Sequence, residues 1–421
     1  MENERAPKCL RNNWGLDGGR PADLTMRRIF VVGTADTKGE ELAYLRSVIA
    51  EAGALPVVVD VGIGPARCDV DISRTEIAAH HPAGVNFLCG TDRGDAVTAM
   101  GEAFARFVST RGDIDAMLGI GGGGGTFIVT KGMQSLRVGL PKLMVSTLAS
   151  GDVGGYVDVA DISMMPSVTD LAGLNNISSA VLRNAAFGIV GMAGAGPPKG
   201  SGKPAIALTM FGVTSPCVTA VSEQLRDRFD CVVFHATGTG GRAMEKLVDS
   251  GLVSGVIDVT TTEICDHLLG GVLSAGVDRL GAIARTRVPY VGSVGALDMV
   301  NFRAFDTVPA HYSRRNLHCH NPQVTLMRTT AEESRQIGGW IAEKLNRCGG
   351  PVRFLIPERG VSMLDAPGQP FHDPIADAAL FNAIEHTLRR TRERRVERIA
   401  CHINDPEFSI ALVQNFLEIA G

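Results

Sequence analysis

The chain has 421 residues, of which 45% are apolar and 20% are charged, and its formal net charge at pH 7 is −4. This composition is sufficient for the cores of two or three domains and argues against a protein that coats nucleic acid through overall positive charge. No apolar run approaches the roughly 18 residues of a membrane-spanning helix. We therefore expect a globular protein with no membrane partner and no direct nucleic-acid binding.

The N-terminal segment and the cysteines point to the cytoplasm. Residues 1–26 are polar and lack the apolar stretch of a secretory signal, so we predict a disordered extension there. The nine cysteines are scattered, with no CxxC pair and no spacing typical of a zinc site. An odd number of dispersed cysteines indicates reduced thiols, which favours a cytoplasmic location.

Short apolar runs alternate with helical patterns through the first half of the chain. This rhythm is typical of a parallel sheet covered on both faces. The predicted elements are strand 28–32, helix 40–52, strand 55–61, strand 84–89, helix 96–109, strand 114–120, strand 141–147 and helix 174–190.

A stretch rich in glycine and proline, residues 191–204, interrupts this rhythm. We place a linker at 193–203, between an N-terminal domain at 27–192 and a C-terminal domain at 204–421. The predicted fold class is α/β, with two Rossmann-like domains whose sheets are mainly parallel and doubly wound. The second set of elements is strand 205–210, helix 218–229, strand 231–235, a turn and a helix from 236, strands 253–259, 288–292 and 324–327, helix 331–345, strand 352–356, helix 374–388, strand 396–401 and helix 407–419.

Five consecutive glycines, residues 121–125, stand between a predicted strand and a helical segment that begins at Thr126. Glycine loses the most backbone freedom on folding, so such a run suggests that a ligand must approach the backbone closely. A phosphate held by N–H groups at a helix N-terminus is the usual occupant. Residues 119–124 also satisfy G-x-G-x-x-G, but they follow a later strand, which favours a mononucleotide or another phosphorylated ligand over a dinucleotide.

Hydroxyl-bearing or acidic residues stand at the ends of the first two predicted strands. After the first strand, Thr34 and Thr37 offer hydroxyls, Lys38 offers a positive charge and Asp36 a cap for the next helix. A purely structural βα turn is the alternative. Asp60 closes the second strand, where an acidic residue either pairs with ribose hydroxyls or caps a turn.

The loop after strand 141–147 has the same character as the other two, with small and hydroxyl-bearing residues. Because parallel strands bring their carboxyl ends to one edge, three such loops predict one composite site for a phosphate-bearing ligand. The predicted ligand-binding residues are Thr34, Asp36, Thr37, Lys38, Asp60, Gly121, Gly122, Gly123, Gly124, Gly125, Thr126, Ser146, Ser150, Gly151 and Asp152.

Several longer segments carry a resemblance to a known family. They are residues 33–42, 119–126, 143–155, 168–176 and 318–322. Over roughly residues 28–421 the chain resembles the Tm-1-like ATP-binding domain family (UPF0261-type), bacterial, fungal and plant proteins that share the N-terminal region of the tomato tobamovirus-resistance protein. The resemblance implies two Rossmann-like domains, ATP as ligand with or without Mg²⁺, and a homodimer or higher homo-oligomer.

Polar residues also gather at predicted strand ends in the second half. Glu263 and His267 are spaced i, i+4 and share a helix face, with Asp266 between them, while His318 and His320 lie in a loop-rich stretch. We take these five as candidate catalytic residues. The alternatives are helix capping and surface pairing for Glu263 and His267, and structural hydrogen bonding for the loop histidines. His318 and His320 lack a third ligand at motif spacing, so no metal site is predicted. Further polar groups at the same edge are Asp298, Asn301, Glu358, Arg359, His372 and Asp373.

The sequence contains no nucleophile-elbow motif and no protein-kinase motif set, so the reaction stays open. The favoured hypothesis is a nucleotide-binding protein that acts on, or is regulated by, a small phosphorylated ligand. One alternative is a non-enzymatic, nucleotide-dependent interaction module. The family resemblance implies it, because in the plant member this region looks like an inhibitor that binds a viral helicase. The other is an NAD(P)-dependent dehydrogenase, which rests on fold analogy alone.

Overall fold

The computed structural model describes residues 27–88, 92–196, 200 and 202–421. The predicted extension at 1–26 and part of the predicted linker, residues 197–199 and 201, lie outside the described residues. Within the described chain, residues 27–157 and 161–200 belong to one compact unit, and residues 158–160 and 202–421 belong to a second. The two units are described separately below.

The first unit is built on a five-stranded parallel sheet with the order β2-β1-β3-β4-β5. Helices connect the successive strands, as parallel pairing requires. Its elements are β1 (Arg28–Gly33), α1 (Gly39–Glu51), β2 (Leu55–Asp60), α2 (Arg74–Ala78), α3 (Arg93–Ser109), β3 (Ala116–Gly121), α4 (Gly123–Ser135), β4 (Lys142–Ser146), α5 (Gly154–Val157), β5 (Ser163–Pro166) and α6 (Asn176–Gly194).

The position of the interior strand β1 explains the unbroken apolar run at residues 29–32. Ile29 and Val31 pack into the core on one face of the sheet, whereas Phe30 and Val32 pack into a separate core on the other face. All four are fully buried. A strand covered on both faces has no polar side, which explains the unbroken apolar run.

The second unit contains a six-stranded parallel sheet with the order β14-β13-β9-β8-β6-β7 and a three-stranded antiparallel sheet with the order β10-β12-β11. Its elements are β6 (Ala205–Met210), α7 (Ser215–Leu225), β7 (Asp230–His235), α8 (Thr239–Asp249), β8 (Val256–Thr260), α9 (Glu263–Leu269), α10 (Ala282–Thr286), β9 (Tyr290–Gly295), β10 (Met299–Phe302), β11 (Leu317–Asn321), β12 (Val324–Arg328), α11 (Ala331–Leu345), β13 (Val352–Pro357), α12 (Pro374–Thr387), β14 (Arg394–Ile399) and α13 (Pro406–Ala420).

Both parallel sheets reverse their strand order beside their first strand. In the first unit the reversal lies between β1 and β3, and in the second between β6 and β8. Open α/β sheets bind ligands in the crevice beyond the carboxyl ends of the strands at such a reversal. The strand order therefore directs attention to the loops after β1 and β3 in the first unit.

The predicted fold class is confirmed, because both large sheets are parallel and alternate with helices. The prediction of a strand at 84–89 is wrong: Gly84–Leu88 forms a short 3-10 helix. A run of five residues is too short for its apolar pattern to separate a strand from a helical turn. Helix α6 also continues to Gly194, two residues into the predicted linker.

Helix α6 has the length and hydropathy of a membrane-spanning segment, and it alone does so among the described residues. A third of its apolar window is buried within the protein. Core helices of soluble folds share these properties, so the finding is weak evidence for a membrane span.

Candidate functional site

The glycine run forms the start of helix α4. Gly122 is the N-cap and has no side chain to offer the helix, and α4 begins at Gly123. The first N–H groups of any α-helix have no acceptor within the helix. Gly123 and Gly124 are exposed to solvent, so this helix presents free backbone donors at the carboxyl edge of the sheet.

Only part of the run is explained by packing within the chain. A Cβ added at Gly121 would lie 2.7 Å from the backbone nitrogen of Thr126, which forbids a side chain. At Gly122 and Gly124 the nearest atom would be 3.7 Å away, and at Gly123 it would be 3.9 Å away. None of these glycines has positive φ. Packing among the described residues therefore requires glycine at position 121 but does not require it at the exposed positions 123 and 124.

The loop after β1 lies beside this helix start, as predicted from the parallel sheet. A Cβ at Gly125 would be 3.8 Å from Cγ2 of Thr34. The Thr34 and Thr37 hydroxyls hydrogen-bond each other at 2.7 Å, and the N–H groups of Thr37 and Lys38 donate to the Thr34 carbonyl. This loop is thus a compact turn with two hydroxyls at its tip.

The two aspartates of this region brace loops. The prediction that Asp36 caps α1 is wrong, because the N-cap is Lys38, which forms no side-chain capping bond. One Asp36 oxygen instead accepts the Gly64 N–H at 2.9 Å. Asp60 is buried, and its Oδ1 accepts N–H groups from the loops after β1 and β2, Ala35 at 2.9 Å and Gly62 at 2.8 Å. Burial raises the pKa of Asp60. These contacts favour the turn-holding alternative over ribose binding.

Lys38 connects the loop after β1 to the segment after β5. Its ammonium group donates a hydrogen bond to the Leu171 carbonyl. In the same segment Val168 has a φ of +67° although it is β-branched and 76% exposed. Such backbone strain often accompanies functional loops. Sequence reasoning did not place this segment at the site, and only its inclusion in the family resemblance signalled it.

Thr126 and Ser146 lie beneath the glycine turn. Both are fully buried, and their hydroxyl oxygens are 2.7 Å apart. They hold α4 against β4 and do not face solvent. Ser150 and Gly151 are exposed in the loop after β4, and Asp152 there accepts the Gly154 N–H at the start of α5.

In the second unit, Glu263 belongs to a buried charge cluster. Its carboxylate accepts Arg279 Nε–H at 2.9 Å, and Arg279 also forms a bidentate pair with Asp258 at 2.7 and 2.8 Å. The other Glu263 oxygen accepts the N–H groups of Gly238 and Gly241 at 2.6 and 2.9 Å. The glycine-rich start of α8 therefore holds a carboxylate of the chain itself.

Asp266 and His267 follow Glu263 but have separate partners. Asp266 is buried and accepts hydrogen bonds from the backbone and side-chain nitrogens of Asn301 at 2.9 and 2.7 Å. Burial raises its pKa to about 7. The His267 ring lies near Ser274 and Trp340. Glu263 and His267 share a helical spacing as predicted, but Glu263 contacts Arg279 and His267 contacts Ser274.

His318 and His320 lie on strand β11 of the antiparallel sheet, in place of the predicted loop. The His318 ring packs edge-on against Phe371 with ring centroids 6.0 Å apart, and His320 is exposed. Within the residues that the structure describes, no group of three His, Cys, Asp or Glu could hold a metal ion.

Comparison with known proteins places the sequence in a family context. The profile described as "Uncharacterised protein family (UPF0261) N-terminal domain" matches residues 27–197, and the C-terminal domain of the same family matches residues 203–420.

Individual relatives agree with these matches. A UPF0261 protein of Rhizobium meliloti (strain 1021) is 63% identical over 94% of this chain and 100% of its own. The ToMV resistance protein Tm-1(GCR237) of Solanum lycopersicum is 40% identical over 93% of this chain, which spans 56% of the tomato protein.

A solved structure gives a much weaker likeness. The Streptomyces sp. SF2575 glycosyltransferase SsfS6, complexed with thymidine diphosphate, has 14% sequence identity and a TM-score of 0.18 over 63% of this chain and 81% of its own. A likeness at this level does not bear on function.

Proposed function

The chain belongs to the UPF0261 family, and from this premise we propose that its first unit binds a nucleotide, ATP in the first instance, at the carboxyl edge of the five-stranded sheet. The phosphates would lie against the start of α4, with Thr34 and Thr37 beside them. The nucleotide either serves a reaction on a small phosphorylated ligand or regulates the protein.

One observation carries this proposal. Neither positive φ nor packing against the described residues requires the exposed glycines at the start of α4. Side chains are absent where the helix N–H groups meet solvent, and this arrangement suits the close approach of phosphate oxygens. The partial positive charge at the helix N-terminus also favours an anion there.

The second unit supplies an internal precedent for this chemistry. The glycine-rich start of α8 binds the Glu263 carboxylate through two backbone N–H groups. The start of α4 has a similar glycine-rich sequence but receives no side-chain cap. An anion from outside the chain would accept the N–H groups at the start of α4, as Glu263 accepts those at the start of α8.

The residues present suit the triphosphate better than the metal. Mg²⁺ is usually held by one or two carboxylates together with the substrate phosphates. In this unit the exposed Asp152, in the loop after β4, could provide one such carboxylate. Mg²⁺ would then enter with the nucleotide and neutralise phosphate charge, while the chain supplies backbone donors and the Thr34 and Thr37 hydroxyls.

Thermal stability in the presence of ATP tests the proposal, because a ligand that binds the folded state raises apparent stability. The informative variant is Gly123→Asp, which adds a negative charge where the phosphates would lie. An acidic residue in the first helical turn stabilises the helix, so the free protein should keep its melting temperature. The matched control is Gly112→Asp, at an exposed position that precedes β3.

We expect ATP to raise the melting temperature of the wild type and of Gly112→Asp, with a larger shift when Mg²⁺ is present. The Gly123→Asp variant should lose this shift. An equal shift in both variants would place the nucleotide elsewhere. A shift with NADH and none with ATP would instead support the dehydrogenase alternative.

A further inference from the structure

A cavity of about 590 Å³ opens in the second unit beyond the carboxyl ends of β13 and β14. Its volume is in the range of small-molecule sites, which is roughly 300–1,000 Å³. The residues that matter for its chemistry are Glu358, Arg359, His372, Asp377, Phe381 and His402. None of these belongs to the edge of the first unit considered above.

Arg359 is a cation at the rim of this cavity. It is exposed, and its guanidinium has no hydrogen bond or ion pair with any residue in the described part of the chain. The neighbouring Arg398 is different, because it donates to Glu385 at 2.6 Å and to Asn382 at 2.8 Å. Arg359 is therefore the guanidinium available to an anionic ligand.

A second feature is the carboxyl group of Asp377, which lines the wall and is largely buried. It accepts a hydrogen bond from Arg328 at 2.6 Å. Asp365 also faces this guanidinium, at 3.9 Å, and Asp298 lies in the same cluster. One guanidinium cannot neutralise three buried carboxylates, so the cluster favours bound protons. Burial raises the pKa of Asp377 to about 8.

Two buried carboxylate oxygens of this cluster accept no hydrogen bond from the residues that the structure describes. Asp298 and Asp365 are 1% and 0% exposed, and the Oδ1 atom of each accepts no hydrogen bond in the structure. Asp365 Oδ1 lies 3.8 Å from Nδ1 of His372, which in turn lines the cavity. An unsatisfied buried carboxylate behind a histidine is a common arrangement for orienting an imidazole toward a ligand.

His402, by contrast, is fixed in a structural role. Its Nε2 lies 2.9 Å from the Ser362 carbonyl, and its Nδ1 accepts the Asn404 N–H at 3.1 Å. Both ring nitrogens are thus used by the chain. His372 is then the imidazole of this cavity that can hydrogen-bond a ligand.

We propose that this cavity binds a small organic carboxylate, whose carboxylate group pairs with Arg359 and whose neighbouring hydroxyl or carbonyl oxygen meets Asp377 and His372. Phe381 and the adjacent prolines provide an apolar wall for the carbon skeleton. The site is separate from the nucleotide site of the first unit, so either proposal can fail without the other.

The test uses the full chain and calorimetric titration with lactate, malate and citrate as probes. Lactamide serves as an uncharged analogue and inorganic phosphate as a different anion. We expect at least one of the carboxylates to bind and lactamide not to bind. Arg359→Ala should weaken binding by about 10- to 100-fold, the range expected for a charged hydrogen-bonded pair. Arg392→Ala removes another exposed arginine of this unit and should leave binding unchanged.

The pH dependence gives a second readout. A protonated Asp377 donates to the ligand, whereas the ionised form repels it, so the affinity of the carboxylate should fall as pH rises through about 8. Asp377→Asn, which keeps an acceptor for Arg328, should flatten this fall. The variant leaves the other charged and ionisable groups around Asp377 unchanged. They are Arg328, Asp298 and Asp365 in the buried cluster, and Glu358, Arg359, His372, Arg398, His402 and Asp405 in the cavity lining.

Three results would overturn the proposal. The first is that no carboxylate probe binds the wild type. The second is that Arg359→Ala and Arg392→Ala bind equally well. The third is that phosphate binds in an Arg359-dependent manner while the carboxylates do not, which would assign the cavity to a different class of ligand.

Discussion

The two glycine-rich helix starts of this protein differ in what they hold. At the start of α8, two N–H groups bind the carboxylate of Glu263, whose other oxygen pairs with the buried Arg279. At the start of α4, exposed glycines face solvent and the N-cap contributes no side chain. The second unit therefore satisfies its helix start with an internal anion, whereas the first unit leaves its own open.

The same contrast appears where each sheet reverses its strand order. Where β6 and β8 end, a hydrogen bond closes the gap between the two strand ends. The Thr214 and Thr260 hydroxyl oxygens are 2.7 Å apart, and both residues are fully buried. Between β1 and β3 the loops expose Thr37 and the glycines. Two sheets with a related strand order can thus place a closed, buried edge or an open, solvent-exposed edge at the same topological position.

The largest expected effect comes from removing the internal counter-charge of the second unit. Arg279→Met leaves Asp258 and Glu263 buried without their cation, and breaking such a buried pair costs about 3 to 5 kcal/mol. Urea unfolding followed by circular dichroism measures the loss. Arg285→Ala is the control, because it breaks only solvent-exposed pairs with Asp249 and Asp278 and should cost at most about 1 kcal/mol. Similar losses in both variants would contradict the structural role of the cluster.

The next prediction separates the required glycine from the open ones. In Gly121→Ala the new Cβ would lie 2.7 Å from the Thr126 backbone nitrogen, so we expect a loss of about 1 to 3 kcal/mol in the free energy of unfolding. Gly124→Ala has 3.7 Å to its nearest neighbour and should be neutral or stabilising by about 0.5 to 1 kcal/mol. If Gly124→Ala were equally destabilising, the open glycines would be structural after all.

The pH dependence of stability should reveal the raised pKa of Asp266, which is buried in the second unit. The pKa of Asp266 is about 7 in the folded chain and 3.8 as its ordinary value, so the folded state holds a proton that the unfolded state has lost. The stabilising contribution of the Asp266 proton is therefore fully present below about pH 4 and declines as pH rises toward 7, by at most about 1.4 kcal/mol per pH unit. Asp266→Asn mimics the protonated acid and should flatten this decline in urea unfolding series. A steeper decline in that variant would contradict the assignment.

The smallest effect concerns the strained loop of the first unit. Val168 holds a φ of +67° and is 76% exposed, so Val168→Asn relieves backbone strain without removing packing. Asparagine adopts this conformation more readily, and a gain of about 1 kcal/mol is expected. Val277→Asn is the control, since that valine is 67% exposed but has no positive φ. If both variants raised the melting temperature equally, the gain in Val168→Asn would not come from relief of backbone strain at that position.

The sequence predicts the fold class well because the helices and the apolar strands follow their periodic patterns. It also predicts that the loops after β1 and β3 lie together, since parallel strands bring their carboxyl ends to one edge. The short strands β5, β10 and β11 were not predicted, because four or five residues carry little periodicity and pair only in the folded structure.

The contacts of individual side chains were harder to predict from the sequence than the positions of the loops. Glu263 and His267 share a helical spacing, but Arg279, sixteen residues beyond Glu263, decides what Glu263 contacts. Likewise Asp36 bonds Gly64 from another loop instead of capping its own helix. Local spacing cannot reveal such partners, because they meet only through tertiary packing. Asp377, at the proposed carboxylate site, illustrates the same limit, because its partner Arg328 lies 49 residues away in the sequence.

The glycine-rich first turn of α4 also has a consequence for local motion. Without side chains to pack, this turn has few contacts that resist local opening, and glycine gains the most entropy when it opens. Its amide hydrogens should exchange with solvent deuterium much faster than those of Gly238 and Gly241, which Glu263 holds. Occupation of the turn by an anion would slow that exchange, so the turn itself can report whether a ligand is bound.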